Sequence, residues 1–242
     1  MNKKISIILC TYNEVNDIEK TIKLISDTLK DVEIIIVDDN SNDGTLEKLD
    51  QLKSIFNFKL IIRKNERGLA SAQKKAFNES TGDFVGTIDV NSYDAILHFE
   101  NLADKLNNGY DIAVLSRFVP GGGDERIFIR ALASKGIYLL SKFILRIPFN
   151  DFGSGIFLMK RKLLDYADTT LAETSKGSSN YAEWFIEFIY IVYKKKYKII
   201  EIPYIQKKDD DLGVSKSYPN IFIFFYLGFT YFYRILLTIY RN

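Results

Sequence analysis

The stretch "VEIIIVDDNSNDGT", residues 32–45, is an apolar, β-branched run that delivers two consecutive acids, Asp38 and Asp39, into a polar turn. Gly44 then punctuates the opening of a helix at about Thr45. Other short apolar runs read as strands in the same way: "ISIIL" (5–9), "FKLIIR" (58–63), "FVGTID" (84–89) and "DIAVLS" (111–116). Between them, residues 16–30, 45–55, 68–80 and 95–108 carry helical spacing, with Gly68 at a start and Gly109 at an end. Strand–helix alternation predicts an α/β fold with a mostly parallel central sheet covered by helices on both faces. Ligands of such sheets sit beyond the carboxyl ends of the strands. Those ends, residues 10–14, 38–42, 63–67, 89–93 and 116–123, are all polar or charged.

Composition narrows the classes. At 242 residues the chain is long enough for a substantial core, and 33 basic against 31 acidic residues leave a net charge of +2. No global basic field argues for nucleic acid, so phosphate binding has to be local. One cysteine, Cys10, rules out an internal disulfide and points to a reducing compartment, hence the cytosol. The N-terminal apolar run is too short for a secretory signal. His98, the single histidine, lies in a helical stretch without a Cys or His partner in motif context, which disfavours a hydrolase triad at Ser116 or Ser154.

The second half is aromatic and basic. Residues 126–149 set Arg130, Lys135, Lys142 and Arg146 among large apolar side chains, and residues 220–240 are apolar and aromatic until Arg234. As a helix the run 221–233 rises about 20 Å, short of the roughly 30 Å hydrocarbon core of a bilayer. Two readings stay open for these segments: helices lying in a membrane interface, or buried core helices. The run 194–196 reads as a solvated helix end or as a contact for anionic headgroups.

The acids themselves admit two readings. Asp38 and Asp39 suit ribose hydroxyls or a base N–H, whereas Asn40, Ser41 and Asp43 suit an Asx turn and helix cap. Context decides between them, because "ISIILCTYNE" (5–14), "VDDNSNDGT" (37–45), "ERGLASAQKKAF" (66–77), "GDFVGTIDVN" (82–91), "SRFVPGGG" (116–123), "RALASKG" (130–136), "DFGSGIFLMKR" (151–161) and "GVSKS" (213–217) occur in one order. Together they resemble the family 2 inverting glycosyltransferases of nucleotide-diphospho-sugar transferase (GT-A-like) fold, and within them the dolichyl- and polyprenyl-phosphate mannose synthases.

The resemblance implies a site. Tyr12, Glu14, Asp38 and Asp39 would line the base and ribose pocket, with Arg67 and Gly68 at its edge. The strand-end acids of that family usually read D-x-D and hold Mg²⁺ or Mn²⁺ against the donor's phosphates; the matching pair here is Asp89 and Asn91, in "GTIDVNSYDAI" (86–96). An amide oxygen is a legal ligand without charge, so the clamp is weakened rather than excluded. Asp89, Arg117 and Lys135 are the candidates for stabilising the leaving diphosphate. Arg130 and Lys216 are the candidates for holding an acceptor phosphate. Other departures are Cys10 for a usual proline, Asn40 for a usual acid, and Asp209–Asp211 before Gly213, where relatives carry an arginine; these acids face solvent or join an altered metal site.

The implied reaction is inverting transfer of mannose or glucose from GDP-mannose or UDP-glucose to a polyprenyl or dolichyl phosphate. It would take place on the cytosolic face of a membrane, by a peripheral protein with no nucleic-acid partner. A sugar or protein hydroxyl as acceptor would instead need a base, for which Asp151, Glu183 and Glu187 are available. A non-catalytic relative that only binds nucleotide sugars is the remaining alternative. The expected organisation is a catalytic domain over residues 1–217, with a nucleotide half (1–117) and an acceptor half (118–217), followed by an aromatic interface or packing helix over 218–242. Gly121, Gly122 and Gly123 form either a lid or an ordinary loop.

Overall fold

The computed structural model describes residues 3–126, 128–176, 182–207 and 221–241. Strands β1 (Ile5–Thr11), β2 (Glu33–Asp38), β3 (Lys59–Ile62), β4 (Phe84–Thr87) and β5 (Ile112–Ser116) form where the apolar runs predict them. Helices α1 (Ile18–Thr28), α2 (Thr45–Leu52), α3 (Leu69–Glu79) and α4 (Phe99–Asn107) alternate with them. The predicted helix over 95–108 opens one turn earlier as a 3₁₀ segment, Val90–His98, kinked at Ser92, and becomes α-helical only at Phe99.

The second half adds a two-residue β6 (Gly123–Asp124), the long α5 (Phe128–Leu145), β7 (Phe157–Lys160), α6 (Leu164–Lys176), α7 (Trp184–Lys194), β8 (Ile199–Pro203), a two-residue β9 (Ile205–Gln206) and α8 (Ile221–Arg241). The central sheet has seven strands in the order β3-β2-β1-β4-β7-β5-β8. Every pairing is parallel except those of β7, which runs antiparallel between β4 and β5. The nucleotide and acceptor halves of the sequence therefore share one sheet. β6 and β9 pair as a small parallel ribbon outside it.

Period-two alternation sorts the strand residues onto two cores. On one face Ile8, Ile35, Val37, Val85 and Phe157 meet α3, α6 and α7; on the other Ile7, Leu9, Ile34 and Ile36 meet α1, α2 and α4. The first core is aromatic: Phe157 stacks on Phe185 at 5.1 Å, and Trp184 meets Phe77 edge-on at 6.2 Å while its Nε1 donates to Gln73 Oε1 at 2.8 Å. Buried rings of this size each stabilise the fold by roughly 1.5–3 kcal/mol through removal of apolar surface from water. His98 packs edge-on against Tyr204 at 5.6 Å, a packing role.

Helix α8 packs on α5 and α7. Arg234, the residue that interrupts its apolar run, is buried and donates from Nη1 to Glu187 Oε2 of α7 at 2.8 Å. The C-terminal helix thus has a packed face, as the core-helix reading expects, and an open one. Among the described residues no helix is long and apolar enough to cross a membrane.

Candidate active site

The parallel strands end at one edge, and their terminal residues gather there around a candidate cleft. On its β1–β2 side Asp38 is fully buried; its carboxylate accepts from Thr11 Oγ1 at 2.7 Å, from Ser41 Oγ at 2.7 Å and from Ser41 N at 2.8 Å. Asp38 therefore binds the two strand-end loops together behind the cleft instead of lining it. The turn and cap bonds of this loop fall to Asp43, which accepts from Thr45 N and Val15 N; burial works against its charge, and the bonds from Thr45 more than offset this, so its pKa lies below the usual value.

Asp39 is half-buried. Its Oδ1 accepts from Arg63 Nε at 2.7 Å and its Oδ2 from Gly68 N at 2.8 Å. Arg63, at the end of β3, also donates to Ser71 Oγ at 2.7 Å and Gly68 O at 2.9 Å, which locks the turn into α3. Gly68 has φ +130°, a conformation that side chains avoid. The turn carries Arg67 outward, and its guanidinium lies 3.8 Å from the centre of the Tyr12 ring. Tyr12, Arg67, Gly68 and Asp39 thus lie on one wall, and Glu14 follows at its rim with its backbone N–H held by Thr45 Oγ1 at 2.8 Å. Arg63, which sequence reading noted only as part of a strand end, organises that wall.

Asp89 stands just beyond β4 at the N-cap position of the 3₁₀ segment but makes no side-chain capping bond. Its carboxylate has no hydrogen-bond partner among the described residues and opens to the cleft, as does Asn91. The surrounding walls desolvate Asp89 and raise its pKa, against the pull of Arg126 and then Arg117. Cys10 lies between the acids: burial raises its thiol pKa, and Asp39 and Asp89 add to this, so it contributes a neutral side chain to the floor.

The opposite wall is an arginine–carboxylate cluster. Arg117, after β5, is buried and donates from Nε to Asp151 Oδ2 at 2.8 Å and from Nη2 to Asp151 Oδ1 at 2.6 Å. Asp151 Oδ2 also accepts from the backbone N–H of Arg117 at 2.9 Å. Both oxygens of this fully buried acid are committed, so Asp151 positions Arg117 and does not offer a free base. Glu187, held by Arg234, is likewise committed. Gly122 lies against the carbonyl of Ser116, where a Cβ would approach to 2.5 Å; this tight approach and the β6–β9 pairing make the glycine run a built turn over Arg117. Lys135 is exposed on α5, one residue from Ser134 in the cluster. Arg130 falls on the first turn of α5, its side chain outside the described residues; Lys216 and Asp209–Asp211 lie outside them altogether.

Among the described residues no three His, Cys, Asp or Glu side chains converge as a metal site. Asp89 and Asn91 give a hard cation at most a carboxylate and an amide oxygen; Mg²⁺ and Mn²⁺ fit such a sparse set when substrate phosphates complete the shell.

Residues 6–166 match the glycosyl transferase family 2 domain. The chain belongs to that family. It is 33% identical over 207 residues to the dolichol-phosphate mannosyltransferase of Pyrococcus furiosus, covering 83% of this chain and 56% of that protein. It is also 26% identical over 216 residues to the polyprenol monophosphomannose synthase of Mycolicibacterium smegmatis, covering 87% and 79%. The chain thus spans little more than half the length of the Pyrococcus relative. A crystal structure of glucosyl-3-phosphoglycerate synthase from Mycobacterium tuberculosis, in complex with Mn²⁺, UDP and glucosyl-3-phosphoglycerate, superposes with a TM-score of 0.69 at 17% identity, over 98% of this chain and 80% of that one. The fold of this family 2 chain is therefore GT-A-like.

Proposed function

We propose that this chain transfers a hexose, mannose or glucose, from a GDP- or UDP-linked donor to a polyprenyl or dolichyl phosphate, with inversion. The observation that carries the choice of acceptor is the commitment of Asp151 and Glu187, two of the three acids that could serve as a base; the third, Glu183, is buried at the start of α7. Asp151 is tied to Arg117 and Glu187 to Arg234, while the cleft presents arginines near an open Asp89. A hydroxyl acceptor needs a free carboxylate to take its proton, whereas a lipid phosphate arrives as an anion and needs cations to hold it. The names of the Pyrococcus and Mycolicibacterium relatives support the same acceptor class.

In this reading Tyr12, Glu14, Asp39, Arg67 and Gly68 hold the base and ribose, with Asp38 fixing the loops behind them. Asp89 and Asn91 would hold Mg²⁺ or Mn²⁺, which when bound neutralises the charge developing on the leaving diphosphate. Arg117, fixed by Asp151, contributes a buried positive charge to the same region, with Lys135 as a further cation for the leaving diphosphate and Arg130 and Lys216 as candidates for the acceptor phosphate. The acceptor phosphate oxygen attacks the anomeric carbon as the nucleoside diphosphate departs, and no proton has to be removed.

The membrane supplies such an acceptor, and the apolar surface suits it. Helix α5 exposes Phe128, Leu132, Leu139 and Phe143, and the adjoining α8 exposes Phe229, Tyr233, Leu236 and Tyr240 at alternating steps of four and three. Phe128 follows the arginine cluster by only two residues, so the stripe begins where a lipid phosphate would be gripped. We assign residues 218–242 to a peripheral membrane contact on this basis, and residues 1–217 to the catalytic domain.

The experiment is transfer from radiolabelled GDP-mannose and UDP-glucose, with Mn²⁺, to vesicles carrying a polyprenyl phosphate, against vesicles without it and against soluble sugar acceptors. Product only with the lipid phosphate supports the reading; product only with a hydroxyl acceptor overturns it. Asn91 favours a binding-only relative, which predicts nucleotide binding without product under every condition.

A further inference from the structure

Between the glycine turn and α5 lies an ionic cluster that no motif in the sequence marks. Asp124, at the end of β6, accepts from Arg126 Nε at 2.8 Å through Oδ1 and from Arg126 Nη2 at 2.6 Å through Oδ2. The same Oδ2 lies 3.5 Å from Arg117 Nη1. Ser134 Oγ of α5 accepts from Arg126 Nη2 at 2.8 Å and from Arg117 Nη1 at 3.3 Å. The two guanidiniums are therefore neighbours, spaced by one carboxylate and one hydroxyl. They differ in access: the Arg117 side chain is 5% exposed and that of Arg126 is 17% exposed, so Arg126 is the one a ligand reaches first.

The cluster is tethered beside Asp89. Asp124 pairs in register with Gln206 of β9, and Gln206 Nε2 donates to Ser92 Oγ at 2.9 Å, three residues beyond Asp89. Just before β9, Tyr204 donates through its hydroxyl to Asp94 Oδ1 at 3.1 Å. Asp124 is well suited to orient a guanidinium, because burial opposes its charge but Arg126 and then Arg117 more than offset that and hold its pKa below the usual range.

We propose that Arg126, oriented by Asp124, is a phosphate-binding residue of this cleft, supplying fixed positive charge beside a clamp in which Asn91 has replaced one carboxylate. The inference rests on the nucleotide-sugar reading and adds to it a residue that the motifs do not include. Arg126 presents a planar, permanently charged donor to phosphate oxygens, and Asp124 keeps it from folding away when the cleft is empty. The phosphate belongs either to the nucleoside diphosphate of the donor or to the monophosphate of the lipid acceptor.

Competition titrations with UDP, GDP, uridine and guanosine, in EDTA and in Mn²⁺, on the wild type, R126Q and D124N test the donor arm. Flotation with vesicles containing or lacking polyprenyl phosphate tests the acceptor arm. Loss of a charge-assisted bond predicts that R126Q binds the diphosphates at least about tenfold more weakly with uridine and guanosine unchanged, or loses its preference for polyprenyl-phosphate vesicles to a similar extent. Either result supports the proposal and says which phosphate is held. R126Q matching wild type in both arms overturns it. Should R126Q fold poorly, D124N carries the comparison, since it keeps the charge and removes its orientation; unchanged affinities in D124N then overturn the proposal. If the wild type binds neither nucleotide nor lipid phosphate, the proposed function falls with it.

Discussion

Replacing Asp151 by Asn separates a base from a brace. Both Asp151 oxygens accept: one takes Nη2 of Arg117 at 2.6 Å, the other takes Nε at 2.8 Å and the backbone N–H of the same residue at 2.9 Å. An amide in that place turns one acceptor into a donor facing donors and leaves a buried guanidinium short of its counter-charge. Removing one partner of a buried ion pair costs about 3–5 kcal/mol. Asp124, 3.5 Å from Arg117, retains part of the compensation and favours the lower end, about 3 kcal/mol. For a domain of this size each kcal/mol moves the melting point by about 2–4 °C, so D151N is expected to melt about 6–12 °C lower. The assay is a thermal melt by circular dichroism alongside turnover at a temperature where both proteins are folded. A general base contributes about 10²–10⁴-fold to rate without bracing the fold. Unchanged melting with turnover down by about a hundredfold or more would therefore refute the bracing role and revive a hydroxyl acceptor.

Three further outcomes are expected. Asn91→Asp restores a second carboxylate beside Asp89 and should tighten Mn²⁺ binding in the presence of UDP or GDP, read by titration calorimetry; an unchanged isotherm would show that residue 91 is not a ligand. Glu33 is partly buried, which opposes its charge, but bonds from Ser6 and Thr81 lower its pKa from 4.5 to about 2. Because the folded value is the lower one, its stabilisation is present above pH 4.5 and is lost as the pH falls toward 2, so Glu33→Gln should flatten the fall of the urea midpoint across that window. An equal slope would contradict the assignment. Phe229→Ser, Tyr233→Ser and Tyr240→Ser combined strip the open face of α8 and should reduce flotation with anionic vesicles while leaving the melting point within a few degrees; undiminished flotation would leave α8 as a packing helix only.

The first half of the fold was legible because its strands are short, apolar and bounded by turns, and the strand-end rule named the edge at which the candidate residues gather. β7 was not: Phe157–Lys160 offers four residues, and its antiparallel place is set by pairing with β4 some seventy residues back and with β5 some forty-five residues back, which no local period records. The site was legible by residue type but not by partner. Asp38 and Asp39 are adjacent letters, yet one is sealed behind the loops by Thr11 and Ser41 and the other meets Arg63. Asp151 reads as a free acid until Arg117, distant in sequence, is seen folded onto it. Glu187 reads as a helix acid until Arg234 arrives from α8. The spacing of Asp124 and Arg126, two residues apart after a glycine turn, is a signal that was available, but a single charge pair is too common to stand out.

The central claim is that the cleft around Asp89 grips a nucleoside diphosphate. A crystal of the chain grown with UDP or GDP and Mn²⁺, with an anomalous map at the manganese edge, tests it most directly. The account predicts a manganese peak beside the Asp89 carboxylate, the diphosphate between it and the Arg117–Arg126 wall, and the base against Tyr12. Nucleotide bound elsewhere, or a closed and empty strand edge at saturating nucleotide, would contradict it.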